Sequence, residues 1–528
     1  MMIEIVVDRD KLRRFHRLLK TRLACVFPGA GVALRAGDGG GAQPAAVPPL
    51  LKLERLVYRR GRETICDLLP AAEFDAASDA AADVVIDFSS NPRRADPDVL
   101  SLRPLFDNSG AETALIGALV AGRAPWIAIE KPSTGEIVAI GLPSLEAADG
   151  LTGGMEAVYS RAIVLIEQAI RDPQRSAPRP LFEARTASEA EIMRGAVANL
   201  AKNAARTLYH LVCYGPHWRI GWRFNDGPGV MDLGRLDGPT WRVLPDRGYQ
   251  SFADPFPFVW RGRTCLFFES LDHRAGKGVI STIEFGPEGP IGEPTPVIEE
   301  PWHLSYPFLI EEEGQLWMIP ESSGSGKVPL YRCVDFPYRW ERREPLLEGI
   351  EAADSTVFAR NGRYYMTSVV RDGLGGYSDT LAIHHARRLF GPWLPHAASP
   401  ALIDGRAARP AGAVIERSGV LWRPVQDCSL TYGRALRLAR IDRIDPENFG
   451  QTFTSEIESG PLWPGGRLHT VNRAGRLETI DGVAVTPKLS VLRRLVANHT
   501  APRSGALSAG SGAALRRTRP RPARGSLD

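Results

Sequence analysis

The sequence predicts a multi-domain chain: an N-terminal α/β domain, an all-β five-bladed propeller and a disordered C-terminal tail. Three observations carry this reading. Strand-like and helix-like periodicities alternate up to about residue 212. A glycine-anchored strand–turn–strand segment then recurs five times. Past Arg503 the chain has no aromatic residue and is rich in Gly, Ala, Ser, Pro and Arg. The expected boundaries are 1–175 for the α/β domain, 176–216 for a linker and helix, 217–490 for the propeller and 491–528 for the tail.

In the first part, Ile3–Val7 (IEIVV) reads as a short apolar strand. Asp8 is placed to cap an amphipathic helix over Lys11–Leu23, in which Leu12, Phe15, Leu18, Leu19 and Leu23 recur at helical spacing. Residues 36–48 read as a Gly/Ala/Pro loop, and the Gly-rich stretch 29–41 as flexible, since it has neither GxGxxG after a strand nor a P-loop Lys-Ser/Thr. Asp83–Phe88 (DVVIDF) reads as a buried strand. Trp126–Glu130 and Ile137–Ile140 flank a Gly135-Glu136 turn and read as a hairpin. Helices are expected over Met155–Ile170 and Ser188–Leu211, with the polar, Pro-rich 171–180 between them.

Composition narrows the function classes. The formal net charge is +4, but the segment from Arg503 to Asp528 carries six Arg and one Asp, so the rest of the chain is close to neutral. A basic tail of this composition cannot bury enough apolar surface to fold. It offers at most a weak site for anions, and no specific nucleic-acid binding is expected. No run of 18 or more apolar residues is present, so no transmembrane segment is expected. The charged start MMIEIVVDRDKLRRF lacks the features of a secretory signal. The six cysteines are scattered with no CxxC pair, which points to a cytoplasmic, reducing compartment and to no metal site built on thiolates. Composition leaves the cofactor open.

The repeat is anchored on Gly262, Gly314, Gly362, Gly419 and Gly475, which lie 48 to 57 residues apart. Each anchor ends a polar turn between two β-rich runs: 254–269, 306–321, 354–369, 411–426 and a weaker 467–482. One small sheet cannot bury both its faces, but a ring of them can, so five units at this period predict five blades. An irregular β-sandwich is the alternative.

The same anchors give a register. Eight residues before each stand Asp254, Tyr306, Asp354, Ala411 and Arg467; seven after stand Glu269, Glu321, Val369, Gln426 and Gly482. In a hairpin these two positions face each other far from the turn, at one end of every blade. Asp254, Asp354, Glu321 and Glu269 are therefore the candidate catalytic carboxylates. Carboxylates converging in a concave site raise one another's pKa, so that one can hold a proton while another acts as a base, as glycosidic-bond chemistry requires. The alternative is that they satisfy backbone N–H groups or brace neighbouring blades. Phe256, Trp302, Tyr306, Arg409, Gln426 and Asp427 are the candidate substrate-binding residues. Tyr377 and Trp422 are further rings that either stack on sugars or pack between blades. His303 and His469 lie near the channel, where a satisfied structural role competes with ligand binding.

The segments FADPFPF (252–258), SYPFLIEEEGQLWMIPES (305–322) and DSTVFARNGRYYM (354–366) resemble the N-terminal domain of plant glucosamine inositolphosphorylceramide transferases and their bacterial relatives. That domain is in turn similar to the five-bladed propellers of arabinanase and β-xylosidase glycosidases. The resemblance implies a base at Asp254 and a pKa-tuning carboxylate at Asp354. It also implies a general acid from blade four, where ARPAGAV (408–414) has no carboxylate; Glu321 or Glu269 would have to stand in. Residues 1–175 faintly resemble bacterial formyltransferase-like domains, on DVVIDFSS (83–90) and the WIAIEKPSTGEIVAIG hairpin. SNPRRADP lacks the Asn-x-His of those enzymes, which implies a catalytically degenerate domain. The expectation is a carbohydrate-active propeller acting on a sugar or glycoconjugate, in polysaccharide or glycolipid assembly. The competing expectation is a non-catalytic glycan-binding module.

Overall fold

The computed structural model describes residues 1–488 except 41–42, 59–60, 77–80, 93, 95 and 464, and the side chains of 454 and 455. The expected tail at 491–528 lies outside the described residues. An α/β part precedes five four- or five-stranded antiparallel sheets.

The α/β part is built on one six-stranded sheet. Its strands are β1 (Met2–Asp8), β2 (Gly31–Gly37), β3 (Val84–Asp87), β4 (Leu100–Phe106), β5 (Ile127–Lys131) and β6 (Glu136–Gly141), in the order β2-β1-β3-β4-β5-β6. The first four run parallel, and the β5–β6 hairpin adds antiparallel strands at one edge. Parallel neighbours need crossovers, which α1 (Arg14–Val26) and α2 (Val47–Val57) help to supply, while α3 (Glu112–Val120) connects the antiparallel neighbours β4 and β5. α4 (Gly150–Arg171) is buried along most of its length, and its apolar residues share a core with α1, α3 and the sheet.

Two expectations for this part are corrected. Residues 31–37 form the edge strand β2 and not a flexible loop, because Val32–Leu34 pair in register with Ile3–Ile5 and bury Ala33 and Leu34. Asp8 does not cap the first helix, which begins only at Arg14; its carboxylate instead accepts the Ser90 backbone N–H and is paired with Lys11 at 2.9 Å. The second expected helix is α5 (Glu189–Val212), closed at its start by a Ser188–Glu191 capping box.

α5 runs directly into β7 (Cys213–Phe224), which belongs to the last blade. Blade one contains 250–260, 263–272, 277–286 and 289–298. Blade two contains 305–312, 315–321, 327–335 and 339–348. Blade three contains 352–360, 363–370, 380–386, 394–395 and 402–403. Blade four contains 415–417, 420–427, 435–444 and 449–457. Blade five joins both ends of the module: 471–474 and 477–487 pair with β7, which pairs with 242–243. The β7 seam carries an ion pair between Arg223 and Glu478 at 2.7 Å, each side chain 1 % exposed.

Ring closure shows in the apolar packing between sheets. Ile220 and Trp222 of blade five pack with Phe268 and Ile283 of blade one. One cluster then joins blades one, two and three through Phe267, Met318 and Met366. Phe358 and Tyr365 meet Leu421 and Ile441 of blade four, and Leu436 and Leu438 meet Val471 and Ile480 of blade five. Every blade therefore covers its neighbour, which is how a ring of small sheets buries its faces.

Candidate functional site at the hub

The anchor glycines make the tight turns that the repeat requires. In blades one to four the two central turn residues both have positive φ: Arg261-Gly262, Glu313-Gly314, Asn361-Gly362 and Ser418-Gly419. This is the type I′ pattern that matches strand twist. Blade five differs. Ala474 pairs with Leu477, so Gly475 is the first central residue and not the second. Alignment on the glycine is out of step there.

At the other end of the blades, the positions singled out eight residues before the anchors share an unusual backbone. Asp254, Tyr306, Asp354 and Arg467 all have left-handed φ values, 52°, 44°, 55° and 61°. In blades one to three each left-handed residue falls at a break in pairing, where two residues oppose one: 254–255, 306–307 and 354–355. A β-bulge with its first residue left-handed re-aims that side chain and leaves its N–H outside the ladder. It also shifts the register, so that Glu269 and Glu321 pair with Ala253 and Ser305 and not with the bulged residues. Three blades thus share one bulge at the same end, and non-Gly residues in this conformation cluster at functional sites.

The freed N–H groups are captured by carboxylates from the preceding blade. Asp254 donates its N–H to Asp481 Oδ2 at 2.8 Å, and Tyr306 donates its N–H to Asp254 Oδ2 at 3.3 Å. Thr470 Oγ1 donates to Asp254 Oδ1 at 2.8 Å. His469 lies between two carboxylates, Nδ1 2.7 Å from Asp481 Oδ2 and Nε2 3.4 Å from Asp254 Oδ1, and its ring stacks on Trp218 at 3.9 Å. These anions push the imidazole pKa upward against the effect of burial. One ligand atom each from Asp254, His469 and Asp481 lies within 4.8 Å of the others, so among the described residues these three form a group that could hold a cation.

Asp354 has different company. Arg409 Nε donates to its Oδ2 at 2.6 Å, Arg409 Nη2 to its Oδ1 at 3.4 Å, and Gln426 Nε2 to Oδ2 at 3.1 Å. Burial nevertheless pushes Asp354 up to about 7, with Asp254 and Glu321 adding to the rise. Glu269 stands on the second strand of blade one. Gly278 leaves room for it, since a Cβ there would lie 2.8 Å from Oε1. His303 Nε2 is 3.3 Å from Oε1, while His303 Nδ1 accepts the Gly278 N–H, which fixes the ring's tautomer. Burial pushes Glu269 well above the usual carboxylate range, and the charges of Asp254, Glu321, Asp481 and Asp354 push the same way. Glu321 accepts hydrogen bonds from Ser305 Oγ and Ser323 Oγ.

The four expected carboxylates thus meet around one hub, with Gln426 and Arg409 bound to one of them. The remaining expected residues fall elsewhere. Tyr306 is fully buried, and its hydroxyl bridges Thr356 and the Gly412 backbone. Phe256 is a core ring packed edge-on against Tyr306 at 4.8 Å. Asp427 points away, because it follows Gln426 on a strand, and is held by Arg434 at 2.9 Å and Arg437 at 2.8 Å. Trp302 lies under Arg342, Tyr377 bonds Glu351, and Trp422 lies under Arg417.

Sequence reasoning missed Asp481, Trp218, Tyr432 and Glu146. Asp481 sits in the blade with the displaced turn. Tyr432 lies under the Arg409 guanidinium at 4.7 Å and edge-on to His469 at 5.3 Å, on a loop outside the repeat. Glu146 belongs to the α/β part and could be found only in three dimensions.

Residues 242–486 match the family model described as glucosamine inositolphosphorylceramide transferase 1, N-terminal. The chain is 32% identical over 278 residues to glucosamine inositolphosphorylceramide transferase 1 of Arabidopsis thaliana, a match covering 48% of this chain and 36% of that protein. It is 29% identical over 310 residues to the protein of that name from Oryza sativa subsp. indica, covering 53% of this chain and 41% of that protein. The chain therefore spans about two fifths of the length of the curated relatives it matches. Similar solved structures include an exo-β-1,3-galactanase from Clostridium thermocellum, at 10% identity and TM-score 0.32 over 46% of this chain and 60% of that chain. An α-L-arabinanase from Cellvibrio cellulosa matches at 13% identity and TM-score 0.29 over 39% of this chain and 80% of that chain.

Proposed function

We propose that the propeller acts on a sugar or glycoconjugate at its hub, by acid–base chemistry at a glycosidic bond. The observation that supports this best is the asymmetry between two neighbouring carboxylates. Asp254 receives an N–H, a hydroxyl and an imidazole, all of which favour its charged form, although burial still raises its pKa. Glu269 is buried and crowded by anions, both of which push its pKa well above the usual carboxylate range and favour its protonated form. Environments that set two carboxyls apart assign one as base and the other as acid. In this reading Asp254 accepts a proton, Glu269 donates one, and Asp354 adjusts the cluster's charge through Arg409. Because the groups interact closely, they titrate as a set.

The name of the plant relatives, which joins glucosamine with inositolphosphorylceramide, favours a role in polysaccharide or glycolipid assembly. The faint likeness of residues 1–175 to degenerate formyltransferases belongs to this proposal. So does a cytoplasmic location, which six unpaired cysteines favour. Among the described residues no helix is long and apolar enough to cross a membrane.

One observation favours a second reading, a non-catalytic glycan-binding module: Asp354 is already engaged by Arg409 and Gln426, and blade four supplies no acid. A glycan array and an activated-glycoside panel, run on the wild type and on the Asp254→Asn, Asp354→Asn double variant, separate the readings. Turnover lost in the variant supports chemistry. Binding that weakens in the variant, without turnover in either protein, supports the second reading. Identical behaviour of both proteins toward every sugar rejects the hub as the site.

A further inference from the structure

We infer that the α/β part forms one wall of the hub site and that its Glu146 supplies there the carboxyl that blade four lacks, acting as a positioning residue on Asp354 through Ser378 and Arg409. The inference rests on the hub being the functional site and identifies the element that completes it.

The wall is built by the segment that leaves β6. Gly141 permits the approach, since a Cβ on it would lie 2.9 Å from the Ile403 side chain. Leu142 makes a two-way backbone bridge to blade three: its N–H donates to Ile403 O at 2.9 Å, and its carbonyl accepts the Gly405 N–H at 2.8 Å. Ser144 N–H donates to Asp379 Oδ2 at 2.9 Å, and Leu145 N–H to Ser429 O at 2.8 Å. Behind the segment, Arg161 of α4 is fully buried against Asp379, with Nε 2.7 Å from Oδ1. A buried charge pair joined to four backbone or side-chain bonds across one seam specifies a fixed geometry; it is not an incidental touch between domains.

This seam delivers Glu146 to the hub. Ser378 Oγ donates to Glu146 Oε1 at 2.5 Å, and Arg409 Nη1 donates to Ser378 Oγ at 3.4 Å. The same guanidinium holds Asp354 through Nε. Glu146 and Asp354 are therefore the two ends of one chain and share one cation. Glu146 Oε2 is buried and has no hydrogen-bond partner. A buried unpartnered carboxyl oxygen is costly, and it persists at positions that serve a ligand or a proton. The groups that face Glu146 are Ser378, Asp379, Arg409 and Cys428, and burial raises its pKa despite Arg409. On the opposite side of the hub, blades one and two leave His303 42 % exposed beside Glu269. The site thus opens at blades one and two and is walled at blades three and four.

The sharing of Arg409 has a measurable sign. Removing the charge of Glu146 leaves Arg409 wholly to Asp354, so Asp354 should lose its proton at lower pH. The test is infrared titration of protonated carboxyls in the full chain between pH 5 and 9, on the wild type and on Asp354→Asn, Glu146→Gln, Glu146→Asp and Glu136→Gln. The band missing in Asp354→Asn belongs to Asp354. In Glu146→Gln that band is expected to titrate about half a pH unit lower or more. Glu146→Asp should restore most of the wild-type position. Glu136→Gln, which removes an exposed carboxyl from the same part of the chain, should leave it unchanged. An Asp354 band that stays put in Glu146→Gln overturns the inference while leaving the hub reading intact. No Asp354 band in the wild type also overturns the inference, because Arg409 then already holds Asp354 charged; the hub reading is tested separately, by sugar turnover in Asp254→Asn. If Glu146→Gln does not fold, Ser378→Ala, which cuts the link between Glu146 and Arg409, takes its place. An Asp354 band that moves to lower pH then supports the inference, and one at the wild-type position overturns it.

Discussion

Arg409 and Asp354 are joined at 2.6 Å through Nε and Oδ2, both of them buried, and they come from different blades. Removing one partner strands the other charge without water. Arg409→Met is expected to cost about 3–5 kcal/mol, whereas combining it with Asp354→Asn should cost clearly less than the sum of the two single changes. Urea unfolding of the four proteins in this cycle measures both quantities.

Glu269 gives the hub a pH dependence of definite sign. Its carboxyl holds its proton in the folded state above the ordinary value of 4.5, so folding binds a proton across that window. Stability contributed by this group is full below 4.5 and is lost as pH rises through the folded pKa. Asp354 acts in the same direction between 3.8 and about 7. Glu269→Gln cannot ionise, so its melting temperature should fall less from pH 5 to pH 8. At pH 8 it should exceed the wild type by on the order of 1 kcal/mol, about 2–4 °C. Calorimetry at both pH values checks this.

Gly412 follows Ala411, the blade-four position of the register; its φ is 139° and a Cβ would lie 2.2 Å from Val471 O. Gly412→Ala should therefore cost roughly 3 kcal/mol or more, or prevent folding. Gly314→Ala, in a turn where a Cβ meets open space, should cost about 1 kcal/mol. Tyr306→Phe, which leaves the Gly412 N–H and carbonyl without their cross-hub partner, should cost about 1–3 kcal/mol. Chemical denaturation of the three variants ranks them.

The Arg223–Glu478 pair locks β7 to the strand that ends the propeller. Glu478→Gln should destabilise by about 3–5 kcal/mol, because it also weakens the hold on the Val230 N–H. Hydrogen exchange should localise the loss to 213–224 and 471–487. Uniform loss over all five blades would mean that the ring opens elsewhere.

Much of the fold was readable because local chemistry repeats. Turn glycines between β-rich runs gave the blade count and four of the five turns in register. They also placed Asp254, Glu269, Glu321 and Asp354 at one end of the blades. What could not be read depends on backbone geometry that leaves little trace in side-chain patterning. The bulges shift Glu269 and Glu321 by one pairing and turn Tyr306 into a brace. Strand alternation, applied to Gln426 and Asp427 separately, would have sent only one of them to the hub. Asp481 was hidden because it lies off the repeat's register, which falls on Gly482 when anchored at Gly475 and on Val483 when anchored at the turn as it forms. The edge strand Gly31–Gly37 was obscured by the glycines around it. Glu146 is 208 positions from Asp354 in the chain, and no periodicity links the two.

The most direct test of the central claim is turnover of a panel of glycosides with unactivated leaving groups, which depart only when protonated, by the wild type, Glu269→Gln and Asp254→Asn. Acid–base chemistry at the hub requires kcat to fall by about 10²–10⁴-fold in each variant, with KM nearly unchanged. A panel hit whose kcat is the same in all three proteins would contradict it.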